Sequence, residues 1–449
     1  MEEKRMIIRA LSLAVVLPFF LGAASKPATV TFHKDVLPVL QKNCQSCHRP
    51  GEAAPMSFLT YDQVRPWAKA IRETVLAKRM PPWFADPAHG KFRNERVLSQ
   101  AEIDTLTNWA NNGTPEGNRK DAPKPVDWVE GWNIGKPDLI VEMPNAYPVP
   151  AEGTIEYTYY VLPLNLKQDT WVQSAEVRPG ERGVVHHVIA FLREPNSKWL
   201  RGVEYGVPYV PKRVERSSRR NNEAASEAGA PGSELLVGFA PGLPPQILMP
   251  GQAKLIKAGS DVVFQMHYTA NGKAAQDKTR IGLVFAKEPP KERVMTVAAP
   301  NNKFVIPAGD PNHQVESKFT LHSDVRLVSL MPHMHLRGKD FLYKAVYPSG
   351  ESEVLLNVPR YDFNWQLFYY LEEPKLLPKG TRLECTAHFD NSANNKYNPD
   401  PTKEVRWGDQ SWEEMMIGWF EVAFDAGMDP VKVLRPAKQE KPAATTGGE

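Results

Sequence analysis

The chain has 449 residues, with 55 lysines and arginines against 52 aspartates and glutamates, for a formal charge of +3. That length accommodates about two to four domains, each with its own core. Near-balanced charge, with no basic stripe interleaved with aromatics, excludes a nucleic-acid groove. The 41 prolines, set among glycine-containing turns and short apolar runs, favour β-sandwich architecture over a helical bundle or a parallel α/β sheet.

Residues 1–24 read as an export signal. Lys4, Arg5 and Arg9 precede an apolar run over 10–21, and Gly22-Ala23-Ala24 suits cleavage. The run is short for a bilayer span, and no later stretch approaches ~18 unbroken apolar residues. The expectation is a periplasmic or secreted chain with no stable membrane span once the signal is removed. An uncleaved anchor is the alternative.

Helical patterns come next. Residues 35–43 carry Val36, Leu37 and Leu40 on one side and lead into Cys44-Gln45-Ser46-Cys47-His48. Trp67, Ile71 and Val75 predict a helix over 61–76 with those three on one face. Ser99 and Glu102 form a capping box, Ile103, Leu106 and Ala110 line the face that follows, and Gly113 ends it. Cys-x-x-Cys-His without a zinc-type partner pair reads as covalent haem c attachment: two thioethers through Cys44 and Cys47, and His48 as an axial ligand. A thioredoxin-like dithiol is the competing reading, and it lacks the βαβ surroundings.

This order of helices and motif resembles class I cytochrome c over residues 27–118. The resemblance implies a methionine as second axial ligand, matched by Met80 in Arg79-Met80-Pro81-Pro82-Trp83, with Met56 as the alternative. His33 and His89 read as surface or loop histidines.

Residues 119–137 are polar and proline-containing, a linker. Alternation follows: Tyr157, Tyr159 and Val161; Phe264, Met266 and Tyr268; Leu327, Ser329, Met331 and His333. Sandwiches are expected over 138–290 and 291–428. Residues 196–233, with Arg213, Arg216, Arg219 and Arg220, read as a long surface loop, and 429–449 as a disordered tail. Cys385 alternates with Leu383, Ala387 and Phe389 and reads as a buried structural thiol.

Adjacent His186 and His187 point to opposite strand faces, so both reach one metal only if the strand bends there. His267 alone reads as a core histidine. His333 and His335 share a strand face and suit one metal. Met415 alone reads as core packing.

His-His, then Met-His-Tyr, then His-x-His-Leu, then Glu-Glu-Met resembles the copper type II, ascorbate-dependent monooxygenases over residues 138–428. The resemblance implies two consecutive antiparallel, jelly-roll-like β-sandwiches facing each other across a solvent-filled cleft. It assigns His186, His187 and His267 to an electron-storing copper, and His333, His335 and Met415 to an oxygen-activating copper; Met416 is the rival to Met415. Met331 stands where the peptide-amidating members carry a substrate-binding arginine, which argues against a peptide C-terminus as substrate. Arg337 reads as an exposed structural arginine, and His313, His322 and His388 as non-ligands.

The expected protein is thus multidomain, a small all-α cytochrome c domain followed by two β-sandwiches. It is expected to hydroxylate a C–H bond of a small organic substrate with O2, using haem c and two copper ions. The haem, an external donor or ascorbate would supply electrons. The alternatives are a non-catalytic electron-transfer or copper-binding protein, and a thiol-disulfide oxidoreductase using Cys44 and Cys47.

Overall fold

The computed structural model describes residues 29–52, 54–129, 131–211 and 234–435. The export signal, the basic residues Arg213 to Arg220 and residues 436–449 lie outside them, and the expected disordered tail over 429–449 begins instead as packed chain, with helix Val431–Leu434 and Val433 buried in the core of the second half. Among the described residues no helix is long and apolar enough to cross a membrane.

A short helical region comes first, followed by mostly antiparallel β-sheet. Helices Leu37–Asn43, Ala68–Leu76 and Gln100–Asn111 enclose a core that includes Phe32, Leu40, Ile71, Leu106 and Trp109. The expected helix over 61–76 is broken: Tyr61–Val64 passes into a 3-10 turn, Arg65–Trp67, before Ala68–Leu76 resumes. Pro66 lacks the N–H that a continuous helix needs. The turn shifts the phase, so Trp67 is 39% exposed while Ile71 and Val75 stay buried.

Ser99 and Glu102 make the expected reciprocal cap. Burial alone would raise the Glu102 carboxyl, but bonds from Lys42, Ser99 and Asn43 hold it down to about 2. A depressed carboxylate contributes stability that is present above its ordinary value, 4.5, and is lost as pH falls toward about 2. Thermal melts of Glu102→Gln and the parent should therefore differ at pH 6 and converge between pH 4.5 and about 2.

The β region has two halves joined by one nine-stranded sheet. The first half supplies Leu139–Glu142, Arg280–Phe285, Thr170–Arg178, Gln246–Ile247 and Gln252–Ile256. The second supplies Glu292–Pro300, Ile417–Asp425, Val325–His333 and Tyr369–Leu377. The junction is parallel, through Gln252 with Glu292 and Ala253 with Arg293. A four-stranded sheet covers each half: Thr158–Pro163, Asp261–Tyr268, Val185–Arg193 and Glu234–Phe239 over the first, His313–Thr320, Arg382–Phe389, Gly338–Val346 and Ser352–Val358 over the second. Separate apolar cores lie in the two halves.

Alternation along Val325–His333 is interrupted. Leu327 pairs with Val422 and Ser329 with Glu421, so Val328 is an extra residue. Leu327 therefore joins Leu330 in the core of the second half, off the face that Met331 and His333 share. The expected surface loop also begins as packed chain: Trp199 is 3% exposed, and Tyr209 exchanges backbone hydrogen bonds with Tyr159. Cys385 is buried beside Gly418, as expected of a structural thiol.

The helical region is not a detached bead. After Met80 the chain leaves its helices, and Phe84 and Phe92 enter the core of the second half. Phe92 bridges to Leu371, and Asn94 Nδ2 donates to the Phe368 carbonyl. On the other side, Arg182 pairs with Glu52 at 3.2 Å, and Arg49 lies over Trp128 of the linker.

Candidate metal centres

His187 and His267 are direct partners across the antiparallel strands Val185–Arg193 and Asp261–Tyr268. Val185 pairs with Tyr268, so adjacent residues of the second strand face residues two apart in the first. His186 is the extra residue, and this bulge turns two consecutive imidazoles toward one point. His187 Nδ1 stands 3.1 Å from His186 Nδ1 and 3.4 Å from His267 Nδ1. Three nitrogens each ~2.0 Å from one ion, at trigonal to tetrahedral angles, stand about 3.3–3.5 Å apart. The three rings are spaced as ligands of a single metal, with Tyr157 packed on His267 at 4.6 Å.

The second cluster uses the opposite ring nitrogens. Gln366 Nε2 donates to the Phe363 carbonyl (2.8 Å) and to the Tyr361 hydroxyl (3.0 Å), which turns its Oε1 toward His333 Nδ1 at 2.9 Å. His335 Nδ1 faces the Glu413 carbonyl at 3.2 Å. Both acceptors require Nδ1–H, which places each lone pair on Nε2. The His333 and His335 rings lie 5.2 Å apart at 87°.

Met415 and Met416 are both fully buried but face different ways. His333 pairs with Ile417, and Met415, two residues earlier, packs with Met331, Phe368, Ile417 and Trp419. Met416 belongs to the core of the second half. Met415 thus shares the His333 face, and two imidazoles with a thioether form a donor set that suits a soft, monovalent copper.

Glu414 escaped the sequence reading, although its place beside Met415 could have marked it. It is buried, and it accepts the backbone N–H of His335 (2.9 Å) and of Arg337 (2.6 Å), tying the His-x-His segment to the methionine segment. Burial raises its pKa, against the pull of His335 and Arg337. Arg337 is 2% exposed rather than exposed as expected, because Glu414, Asn391 and the Trp412 carbonyl hold it inside. His388 and His313 pair with Asp340 and Asp310, away from either cluster.

Tyr361 also lacked a signal in the sequence. Its hydroxyl donates to the Met334 carbonyl (2.7 Å) and accepts from the Met334 N–H (3.1 Å). Gly338 lets it approach: a Cβ there would lie 2.8 Å from both Met334 Cβ and Tyr361 Cδ1. Gly338→Ala should destabilise the chain by about 1–3 kcal/mol. Metal affinity of the His333/His335 cluster should fall about 10–100-fold. Denaturant melts and copper titration measure the two effects.

The clusters meet between the halves. His187 and His333 line one cavity of about 20 Å3, room for a single water, with Met331 and Trp419 also in its wall. Phe363 stacks on His186 (4.9 Å) and meets His335 edgewise (5.8 Å). Along that line a phenyl ring occupies the space where the resemblance implied open solvent.

Cys44 and Cys47 lie in the turn after the first helix and form no disulfide, with Cys44 packed on the helical core. Burial pushes the Cys44 thiol up to about 12, with Cys47 adding to the rise, the reverse of an activated dithiol. His48 stacks on Phe58 at 4.2 Å, and burial lowers its pKa against a hydrogen bond with the Met56 backbone. Two cysteines and an imidazole in one turn are the residue types that covalent haem attachment needs. Met56 packs in the core that includes Cys44, whereas Met80 lines a separate cleft toward the second half. His33 pairs with Glu116. Cys47 lines a cavity of about 190 Å3 whose far wall includes Phe239, Ala240 and Leu243, and the same three residues line the histidine cavity.

No protein-family model and no curated protein matches the chain. Among solved structures it is similar to the VP2 subviral particle of infectious bursal disease virus, at 8% identity and a TM-score of 0.20, over 67% of this chain and 75% of that one. It is also similar to PBCV-1 VP54 fitted into a reconstruction of the virophage Sputnik, at 9% identity and a TM-score of 0.20, over 68% and 98%. Likeness at this level says nothing about chemistry.

Proposed function

We propose that the chain is an exported, haem- and copper-dependent monooxygenase of the copper type II, ascorbate-dependent kind, with a class I cytochrome c domain ahead of two jelly-roll-like β-sandwiches. One observation carries the reading: His187 and His333, from different halves, line the same cavity. His186, His187 and His267 would hold one copper, and His333, His335 and Met415 the other. Cys44 and Cys47 would carry the haem, with His48 as one axial ligand and Met56 or Met80 as the second. When bound, the copper ions with O2 supply C–H hydroxylation of a small organic substrate, and the haem supplies single electrons from an external donor or ascorbate.

The residues of the chain prepare that chemistry. Gln366 and the Glu413 carbonyl orient the imidazoles of the second cluster, Phe363 occupies the space between the clusters, and Glu414 locks the backbone behind them. Gly238, Phe239, Ala240 and Leu243 line both the cavity of Cys47 and the histidine cavity, which supports electron entry from the haem side.

Metal analysis of the mature chain, made with haem-attachment machinery and supplied with copper, tests the reading. One iron and two coppers are expected. One iron with no tightly held copper would leave an electron-transfer or binding protein. Alkylation after denaturation should label Cys385 alone; labels on Cys44 and Cys47 would favour the thiol-disulfide reading.

A further inference from the structure

The cleft beside Met80 measures about 630 Å3. Small-molecule sites occupy ~300–1,000 Å3. Thr74, Arg79 and Met80 form its wall on the helical side, and Phe84, Tyr361, Phe363 and Trp365 form the wall of the second half. Phe363, in its wall, connects it to the second histidine cluster, because the Phe363 ring meets the His335 ring at 5.8 Å. Four aromatic rings in the wall of the second half suit a flat apolar body.

The charge of the cleft is one-sided. Arg79, Lys339, Arg360 and Lys396 line it, against Asp362 and Asp390. Among the described residues neither carboxylate makes an ion pair: Asp362 accepts from Asn364, and Asp390 from Ser392. Arg360 is committed to the wall, donating to the Lys78 carbonyl at 2.8 Å and lying over Phe84 at 5.5 Å. Arg79 and Lys396 are exposed and make no ion pair among the described residues.

We propose that this cleft is the substrate site and that it takes a small aromatic molecule bearing an anionic group. The assignment as substrate rests on the monooxygenase reading, and the binding chemistry does not. A pocket walled jointly by the helical region and the second half gives their fusion a role besides electron supply.

Equilibrium dialysis of the haem-loaded, copper-free chain tests it with phenylacetate, 4-hydroxybenzoate, indole-3-acetate and the cation phenethylamine. At least one of the acids should bind saturably at one site, about tenfold or more tighter than the amine. Arg79→Gln and Lys396→Gln, both at exposed positions, should each weaken that acid about tenfold. Absence of saturable binding by all three acids, preference for the amine, or unchanged affinity in both variants would overturn the proposal. Because no copper is present, a chain that binds an acid here yet fails the copper test refutes the monooxygenase reading and leaves the binding site standing.

Discussion

Replacing His335 with alanine should lower bound copper from two per chain to about one, while the His186/His187/His267 cluster keeps its ion. His335 is fully buried, its Nδ1 is held by the Glu413 carbonyl, and its lone pair sits on Nε2. Its loss leaves His333 and Met415, two donors where three would enclose the ion. The first cluster is built on other strands, with its Nδ1 atoms 3.1 and 3.4 Å apart, so it does not depend on His335. His187→Ala should produce the mirror result. Metal analysis after dialysis, with X-ray absorption counting sulfur ligands, reads both: the His187 variant should retain the copper–sulfur signal and the His335 variant should lose it. Loss of both ions in either variant would mean a single shared site.

Glu421→Ala should destabilise the β region by about 3–5 kcal/mol, read by denaturant unfolding. Lys254 and Glu421 are 1% and 0% exposed and 2.9 Å apart. Lys254 also donates to the Leu235 and Leu236 carbonyls and to Thr296, while Gln246 and Ser329 donate to Glu421. Both halves are represented in this network, so it clamps the junction that brings the histidine clusters together. Removing one partner strands the other charge, whereas the double replacement Lys254→Met with Glu421→Leu should destabilise much less. Burial works to raise the Glu421 carboxyl, but Lys254, Ser329 and Gln246 hold it below its ordinary value. Its contribution is therefore present above the ordinary carboxylate range and lost as pH falls through the depressed value.

Local signals were the legible ones. Ser99 and Glu102 three apart marked a helix start, and the alternation of Cys385 with its neighbours marked a buried thiol, because both follow from backbone period and nearest-neighbour bonding. Phase errors came from single residues that interrupt a period. Pro66 moved Trp67 off its face, and Val328 moved Leu327 off the face of His333. Arg337 was misjudged because its carboxylate, amide and carbonyl partners come from distant segments.

The amino-acid sequence by itself determined the residue types that chemistry needs: Cys44, Cys47 and His48 in one motif, the histidines at 186, 187, 267, 333 and 335, and methionines at 415 and 416. It also determined the passage from helical to alternating periodicity. Tertiary structure decided which of these meet. The bulge at His186 forms only against Asp261–Tyr268, Met415 is told from Met416 only by pairing with Val325–His333, and Phe363 reaches His186 only because one sheet continues through both halves. Such contacts are made between residues far apart in the chain, where neither spacing nor propensity carries a signal, and they exist only once the strands have paired.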